Sequence, residues 1–256
     1  MSFLSVKNVW KSYGDNQVLE RLKLTVEQGE FVSMVGASGC GKSTFLKMLL
    51  GSESASRGEI LLEGKALVQE PDQDRGIVFQ KYSVFPHLKV LQNVMIADEF
   101  TQAKLIGWAF GARKQKIKNK ALEIIEAVGL TPAINKYPHE LSGGMQQRLA
   151  IAQALMKKPK ILLLDEPFGA LDPGIRADMH KLINEIWQKN KLTIFMVTHD
   201  IKEAFELGSR LWVFDKVRHD PQAPTAYGAQ VTFDLPIKTQ NAIKQAKEIL
   251  EQKEVA

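Results

Sequence analysis

The sequence predicts an α/β protein in which a mostly parallel sheet forms the core, antiparallel strands stand at the N-terminus and a helical subdomain is inserted partway along. Three observations point there. Short apolar runs of strand length alternate with segments of helical period, the pattern of parallel strands joined by crossover helices. The opening stretch, MSFLSVKNVWKSYG, alternates apolar and polar residues as a half-buried strand does. Between about residues 89 and 158 the strand-like runs thin out and helical periodicity takes over.

Taken in order, the opening strand is followed by FVSMVG (31–36), whose continuous apolar character suits a strand buried on both faces. GIVF (76–79) has the same texture. In the helical region, KIKNKALEIIEAVGL places Ile117, Ala121, Ile124, Ile125 and Val128 on one face. Strand-like runs then return as ILLLD (161–165), TIFMVTH (193–199) and RLWVF (210–214). The tail holds a Pro- and Gly-containing loop, RHDPQAPTAYGAQ, a strand VTFDL and a helical segment NAIKQAKEILEQKE. The expected division is a first core part over 1–88, the helical subdomain over 89–158, a second core part over 159–215 and a C-terminal extension over 216–256.

Composition sets limits on function. A chain of 256 residues with 45% apolar and 25% charged residues has the balance of a folded globular protein with a sizeable core. Its net charge of +5 is compatible with phosphates, anionic headgroups or nucleic acid and selects none of them. No dense basic stripe or long coiled-coil insertion argues for a nucleic-acid partner. The single cysteine, Cys40, excludes an intramolecular disulfide and a cysteine-based zinc site, which points to a reducing compartment. No run approaches the roughly 18 to 20 apolar residues that span a bilayer, so a membrane role is expected to pass through a partner.

The chemistry begins at GASGCGKST (36–44), which follows an apolar strand and opens a helical pattern, as G-x-x-x-x-G-K-[ST] requires. Glycines Gly36, Gly39 and Gly41 let the loop wrap closely, while Ser38, Cys40 and Thr44 lend it backbone N–H groups facing phosphate. Lys42 is expected to reach the β- and γ-phosphates and Ser43 to ligate Mg²⁺. The alternative is a plain Gly-rich turn. KILLLDEP (160–167) runs an apolar strand into two acids. Asp165 is placed to hold Mg²⁺, and Glu166 to orient or deprotonate water. A solvated acidic turn is the alternative.

Gln80 and His199 each end an apolar strand, where ligands of open parallel sheets gather. Either residue alone also reads as a capping or packing group. LSGGMQQR (141–148) then supplies a second helix start, where Ser142, Gly143 and Gly144 leave backbone N–H groups uncovered for an anion.

In this order, GASGCGKST, VFQ, LSGGMQQR, ILLLDEP, GALD and VTHD resemble the ATP-binding cassette ATPases over roughly residues 1–215. The resemblance implies a P-loop NTPase core, ATP and Mg²⁺ as ligands, and ATP hydrolysis. It gives Tyr13 a role stacking on adenine, although Tyr before Gly also reads as a turn residue. Lys42 and the loop through Thr44 would hold the phosphates, and Ser43, Gln80 and Asp165 would hold Mg²⁺. Glu166 would be the general base and His199 would bridge to the γ-phosphate. Two subunits pair head to tail in that family, so Ser142, Gly143 and Gly144 would meet the other chain's nucleotide, and Leu171 and Asp172 of GALD would cross the seam.

Within the family, VFPHLKVLQNV, YPHELSGGMQQRLAIA and FDLP are similar to importers of the nitrate, sulfonate and taurine type. The implied protein is the energy-coupling ATPase subunit of an importer for a small polar solute, peripheral on the cytoplasmic face of the inner membrane. Its implied partners are a second copy or a homologous ATPase subunit, transmembrane permease subunits and, indirectly, an extracytoplasmic solute-binding protein. A cassette for lipid or lipoprotein transport and a P-loop nucleotide kinase are the alternatives. Three stretches depart from the pattern: 101–116 is long, Gln153 stands where Arg is frequent, and 216–230 is unusual. A further expectation is that Tyr82 and Phe85 line a groove for a short helix of a membrane subunit.

Overall fold

The computed structural model describes residues 2–80, 83–102, 111–218, 220–223 and 225–237, with 99–102 and 112 described by backbone alone. Strands β1 (Leu4–Tyr13), β2 (Asn16–Val26) and β3 (Phe31–Gly36) lead into helix α1 (Lys42–Leu50). Strands β4 (Arg57–Leu62), β5 (Lys65–Ala66) and β6 (Arg75–Val78) follow. Helices α2 (Val90–Gln102), α3 (Gly111–Ala127) and α4 (Gly143–Met156) come next, with single 3₁₀ turns at Thr131–Ala133 and Pro138–Glu140. The chain continues through β7 (Ile161–Asp165), α5 (Pro173–Asn190), β8 (Thr193–Val197), α6 (Ile201–Leu207), β9 (Arg210–Asp215) and β10 (Gln230–Pro236). Each apolar run quoted above is a strand, with ends displaced by a residue or two. The closing helical segment NAIKQAKEILEQKE, Tyr82 and part of the 101–116 stretch lie outside the described residues.

The chain forms two compact units, one running to Asp72 and resuming at Asn190, the other spanning Gln73–Lys189. In the first unit β1 pairs antiparallel with β2 and β4, and β4 with β5. The alternation of β1 is interrupted at Asn8, whose φ of 49° belongs to a bulge between Val6 and Val9. That bulge keeps Leu4, Val6 and Val9 all buried. Beside it, a Cβ on Gly58 would lie 2.3 Å from the Asn8 carbonyl oxygen, so the bulge demands glycine there.

β3 lies between two parallel neighbours, β8 and β9, and β10 pairs antiparallel with β9. β3 and β8 are buried along almost their whole length, which is why they read as unbroken apolar runs. Phe45 of α1 packs edge-on against Trp212 at 6.1 Å and tilted against Phe214 at 5.8 Å, fixing the helix that follows β3 to strand β9.

In the second unit β6 and β7 run parallel, from Arg75 opposite Ile161 to Val78 opposite Leu164. Helices α2, α3 and α4 pack on one another. The apolar face expected on α3 is real: Ile117, Ala121, Ile125 and Val128 are buried, and Ile124 is half-buried at its margin. Helix α5 buries Met179, Ile183 and Ile186 at helical spacing.

Candidate functional site

The first unit presents the glycine-rich loop. β3 ends at Gly36 with φ 147°, and a Cβ there would lie 2.2 Å from the Phe214 carbonyl oxygen. Gly39 and Gly41 take φ of 77° and 90°, conformations that side chains make costly. Gly41 is the N-cap of α1, and no side chain caps that helix. A helix start of this kind, capped by no side chain, suits a ligand with anionic oxygens. A Cβ on Gly39 would meet nothing within 4 Å, and residues 37–39 form an exposed crest. Lys42 is buried, and its ammonium donates to the Gly36 and Ala37 carbonyls at 2.8 and 2.9 Å and lies 3.6 Å from Cys40 Sγ. The cation is satisfied by the loop itself, which removes the penalty of burying an unpaired charge. These features fit the triphosphate of a nucleotide.

Tyr13 stands beside this loop, 45% exposed, with the Lys11 ammonium 4.6 Å from its ring centre. Its hydroxyl interacts with Glu53 and with Thr44 of α1, and burial followed by the Glu53 carboxylate hold its pKa above the usual tyrosine value. Lys11 donates to Glu53 at 2.7 Å and holds that carboxyl below its ordinary range. Lys11 and Glu53 were not foreseen, because neither belongs to a local motif.

His199 is exposed at the turn between β8 and α6. The flanking residues lock that turn: Thr198 Oγ1 donates to Glu203 Oε2 at 2.5 Å and accepts from the Asp200 N–H at 3.0 Å. Asp200 caps α6 through the Lys202 and Glu203 N–H groups.

The second unit carries the acids. Asp165 ends β7 and Glu166 follows in the left-handed region at φ 48°, a conformation that costs a residue with a side chain about 1–3 kcal/mol. Gln80, just beyond β6, donates from Nε2 to Glu166 Oε2 at 3.2 Å. Two strand-end residues singled out in the sequence thus meet directly. Among the described residues no three or more His, Cys, Asp or Glu cluster as a metal cage. Mg²⁺ ordinarily takes one or two carboxylates together with phosphate oxygens, and Asp165 is the carboxylate this unit offers at the end of β7.

The LSGG segment differs from expectation at one point. Ser142 Oγ accepts from the Met145 N–H at 3.3 Å, so the start of α4 is partly capped by its own serine rather than left uncovered. Ser142 and Gly143 are exposed, whereas Gly144 is buried, and a Cβ on it would lie 2.5 Å from Ile175 Cγ2 of α5. Gln146 fastens the preceding turn by donating to the Pro138 and Leu141 carbonyls at 3.0 and 3.2 Å. Asp172 is exposed at the start of α5 and its carbonyl accepts from the Arg176 N–H, while Leu171, expected at a seam, is buried.

The departure at Gln153 has a structural counterpart. Its amide donates to the Asn93 carbonyl and Oδ1, both at 3.1 Å. Asn93 is fully buried and pins the segment after Gln80 by accepting from the Phe85 N–H at 2.8 Å and donating to the Phe85 and Leu88 carbonyls. Phe85 is half-buried there, its ring edge-on to His87.

The family model described as ABC transporter matches residues 19–169. The chain is 41% identical to the bicarbonate transport ATP-binding protein CmpD of Synechocystis over 82% of its own length and 73% of that protein. It is 43% identical to the aliphatic sulfonates import ATP-binding protein SsuB of Bacillus subtilis over 77% of its length and 72% of that protein. Its fold superposes on the dimeric structure of a bacterial ABC transporter cassette with a TM-score of 0.72 and 29% identity, covering 92% of this chain and 99% of that one.

Proposed function

Because the chain belongs to the ATP-binding proteins of ABC transporters, a family that hydrolyses ATP, we propose that it is the energy-coupling subunit of an importer for a small polar solute. The observation that carries this reading is the likeness to proteins named for import of aliphatic sulfonates and transport of bicarbonate. No helix among the described residues is long and apolar enough to cross a membrane. We therefore assign the membrane passage to separate permease subunits, with this chain peripheral on the cytoplasmic face and an extracytoplasmic solute-binding protein delivering cargo.

The roles of the side chains follow from their chemistry. Tyr13, 45% exposed and with its hydroxyl against Thr44 of α1, stacks on adenine. The N–H groups of residues 36–44 and the Lys42 ammonium hold the phosphates, the lysine exchanging loop carbonyls for phosphate oxygens. Ser43, Asp165 and Gln80 would hold Mg²⁺, which when bound neutralises phosphate charge. Glu166, oriented by its hydrogen bond from Gln80, takes the proton of the attacking water, and His199 steadies the γ-phosphate. The exposed Ser142 and Gly143, with Asp172, face the nucleotide of a second copy in a head-to-tail dimer, a reading supported by the likeness to a dimeric cassette. In this view 1–88 and 159–215 supply the ATP-binding core and 89–158 the helical subdomain that meets the permease.

Purification of the tagged chain from native membranes, with identification of the co-purifying proteins, tests the proposal. Permease subunits that support ATP-dependent uptake of a radiolabelled sulfonate or bicarbonate in proteoliposomes are the expected result. Recovery with lipid-transport subunits, and no solute uptake, would overturn it.

A further inference from the structure

Residues 216–230 depart from the family pattern and have no part in the roles above. They join β9 to β10, and residues 225–229 meet the edge strand β2. The Gln17 N–H donates to the Thr225 carbonyl at 2.9 Å, the Ala229 N–H to the Val18 carbonyl at 2.9 Å, and the Glu20 N–H to the Ala229 carbonyl at 3.0 Å. Leu19 and Ala229 thereby form a parallel bridge. The approach is close: a Cβ on Gly228 would lie 2.8 Å from Leu19 C and 2.9 Å from Leu19 N.

Charge fixes the segment in place. Arg218 Nη2 donates to Glu20 Oε1 at 2.7 Å, and Gln230 Nε2 donates to the same oxygen at 2.7 Å. The guanidinium also lies 4.2 Å from the ring centre of Tyr227. The Glu20 side chain is almost wholly buried, so losing Arg218 would strand a carboxylate away from water.

The residue gripped from that edge touches the glycine-rich loop with its side chain. A Cβ on Gly41 would lie 2.7 Å from Leu19 Cδ2 and 3.0 Å from Val18 Cγ1, so Gly41 rests against β2 with no slack. Gly41 is both the N-cap of α1 and the neighbour of Lys42. A shift of Leu19 therefore moves the first turn of α1, where phosphate is to be held. We propose that the 216–230 segment is a brace for the phosphate loop, and that Arg218 and Glu20 are positioning residues for nucleotide binding, acting through Leu19 on Gly41. The proposal rests on the phosphate loop being the nucleotide site.

Equilibrium binding of a fluorescent ATP analogue to the full chain in excess Mg²⁺, beside steady-state hydrolysis and thermal melting, tests the brace. Arg218→Ala is expected to raise Kd and KM for nucleotide by about three- to tenfold while kcat stays within about twofold. Arg218→Lys, which keeps the positive charge over Tyr227, is expected to recover most of the affinity. Gly228→Ala wedges the segment off β2 with the ion pair chemically intact, and is expected to weaken binding in the same way. Unchanged nucleotide affinity in folded Arg218→Ala and Gly228→Ala, with only a lower melting temperature, would overturn the proposal. Lys42→Ala separates the two levels: binding unaltered by that change would refute the phosphate loop as nucleotide site, and the brace with it.

Discussion

Two helix starts in this molecule are built by different means. The start of α1 is made of glycines at positive φ, has no capping side chain and holds a buried lysine against its own carbonyls. The start of α4 is capped by Ser142 and has its second glycine wedged beneath Ile175. The first is shaped to wrap a ligand, the second to be held rigid while offering a narrow exposed edge at Ser142 and Gly143. The contrast teaches that glycine serves both backbone conformation and close packing at one helix start and close packing alone at the other.

The sharpest way to break this contrast is to remove chemistry without touching either helix start. Glu166→Gln is expected to keep ATP binding while turnover falls by about 10²-fold or more, as measured by phosphate release with the membrane partner present. Near-normal turnover would remove Glu166 from the role of base. Lys42→Ala acts on the wrapping site: ATP affinity of the single chain should drop on the order of 10²-fold in a titration, since hydrogen bonds to charged groups are lost.

Gly144→Asp acts on the rigid site. It should leave ATP binding by the monomer intact and abolish ATP-driven dimerisation and hydrolysis, because the new side chain is driven into Ile175 and displaces the exposed edge at Ser142 and Gly143. Gly144→Ala, which adds the Cβ without the charge, separates packing from electrostatics. Mixing the Gly144→Asp and Lys42→Ala chains should restore part of the activity, because confirmed heterodimers contain one site with neither lesion. An inactive mixture, when one intact site is known to turn over, would place both elements in the same chain's site.

In the isolated chain Ser142→Ala removes the cap and should lower stability by about 1 kcal/mol in a denaturant titration. The smallest effect is a pH effect confined to the unit of the phosphate loop. Burial pushes the Glu20 carboxyl up, but hydrogen bonds from Arg218, Gln230 and the Gly228 N–H bring it below the ordinary value of 4.5. A depressed carboxyl stabilises the fold above its unfolded value and loses that contribution as pH falls through the folded one. Protection of the Val18–Glu20 amides, taken relative to intrinsic exchange at each pH, should therefore fall below about pH 4.5, ahead of protection along α4.

Much of this was legible in the sequence because the chemistry is local. The loop that begins at Gly36 joins β3 to α1 as read, and Asp165 ends β7 with Glu166 directly after it, as read. What the sequence concealed lies in contacts between residues far apart in the chain. Arg218 and Glu20 are separated by 198 positions and Gln153 and Asn93 by 60, and no periodicity or motif links either pair. Asn8 looked like an ordinary member of an alternating strand, although the bulge it forms decides which neighbours are buried. Ser142 was read as part of a helix start with uncovered N–H groups, because its capping role depends on the path into α4. The expected groove at Tyr82 and Phe85 is touched only through Phe85, since Tyr82 lies outside the described residues.

The packing of Phe45 on Trp212 gives the molecule an optical handle. Trp212 is fully buried, and its indole meets a ring three residues past Lys42 on the helix that begins at the phosphate loop. Any tilt of that helix changes the polarity and the quenching groups around the indole, so intrinsic fluorescence can register the loop's occupancy without a dye. Replacing the other tryptophans, Trp10, Trp108 and Trp187, with phenylalanine would isolate this emitter and turn the core of the first unit into a clock for nucleotide arrival and release.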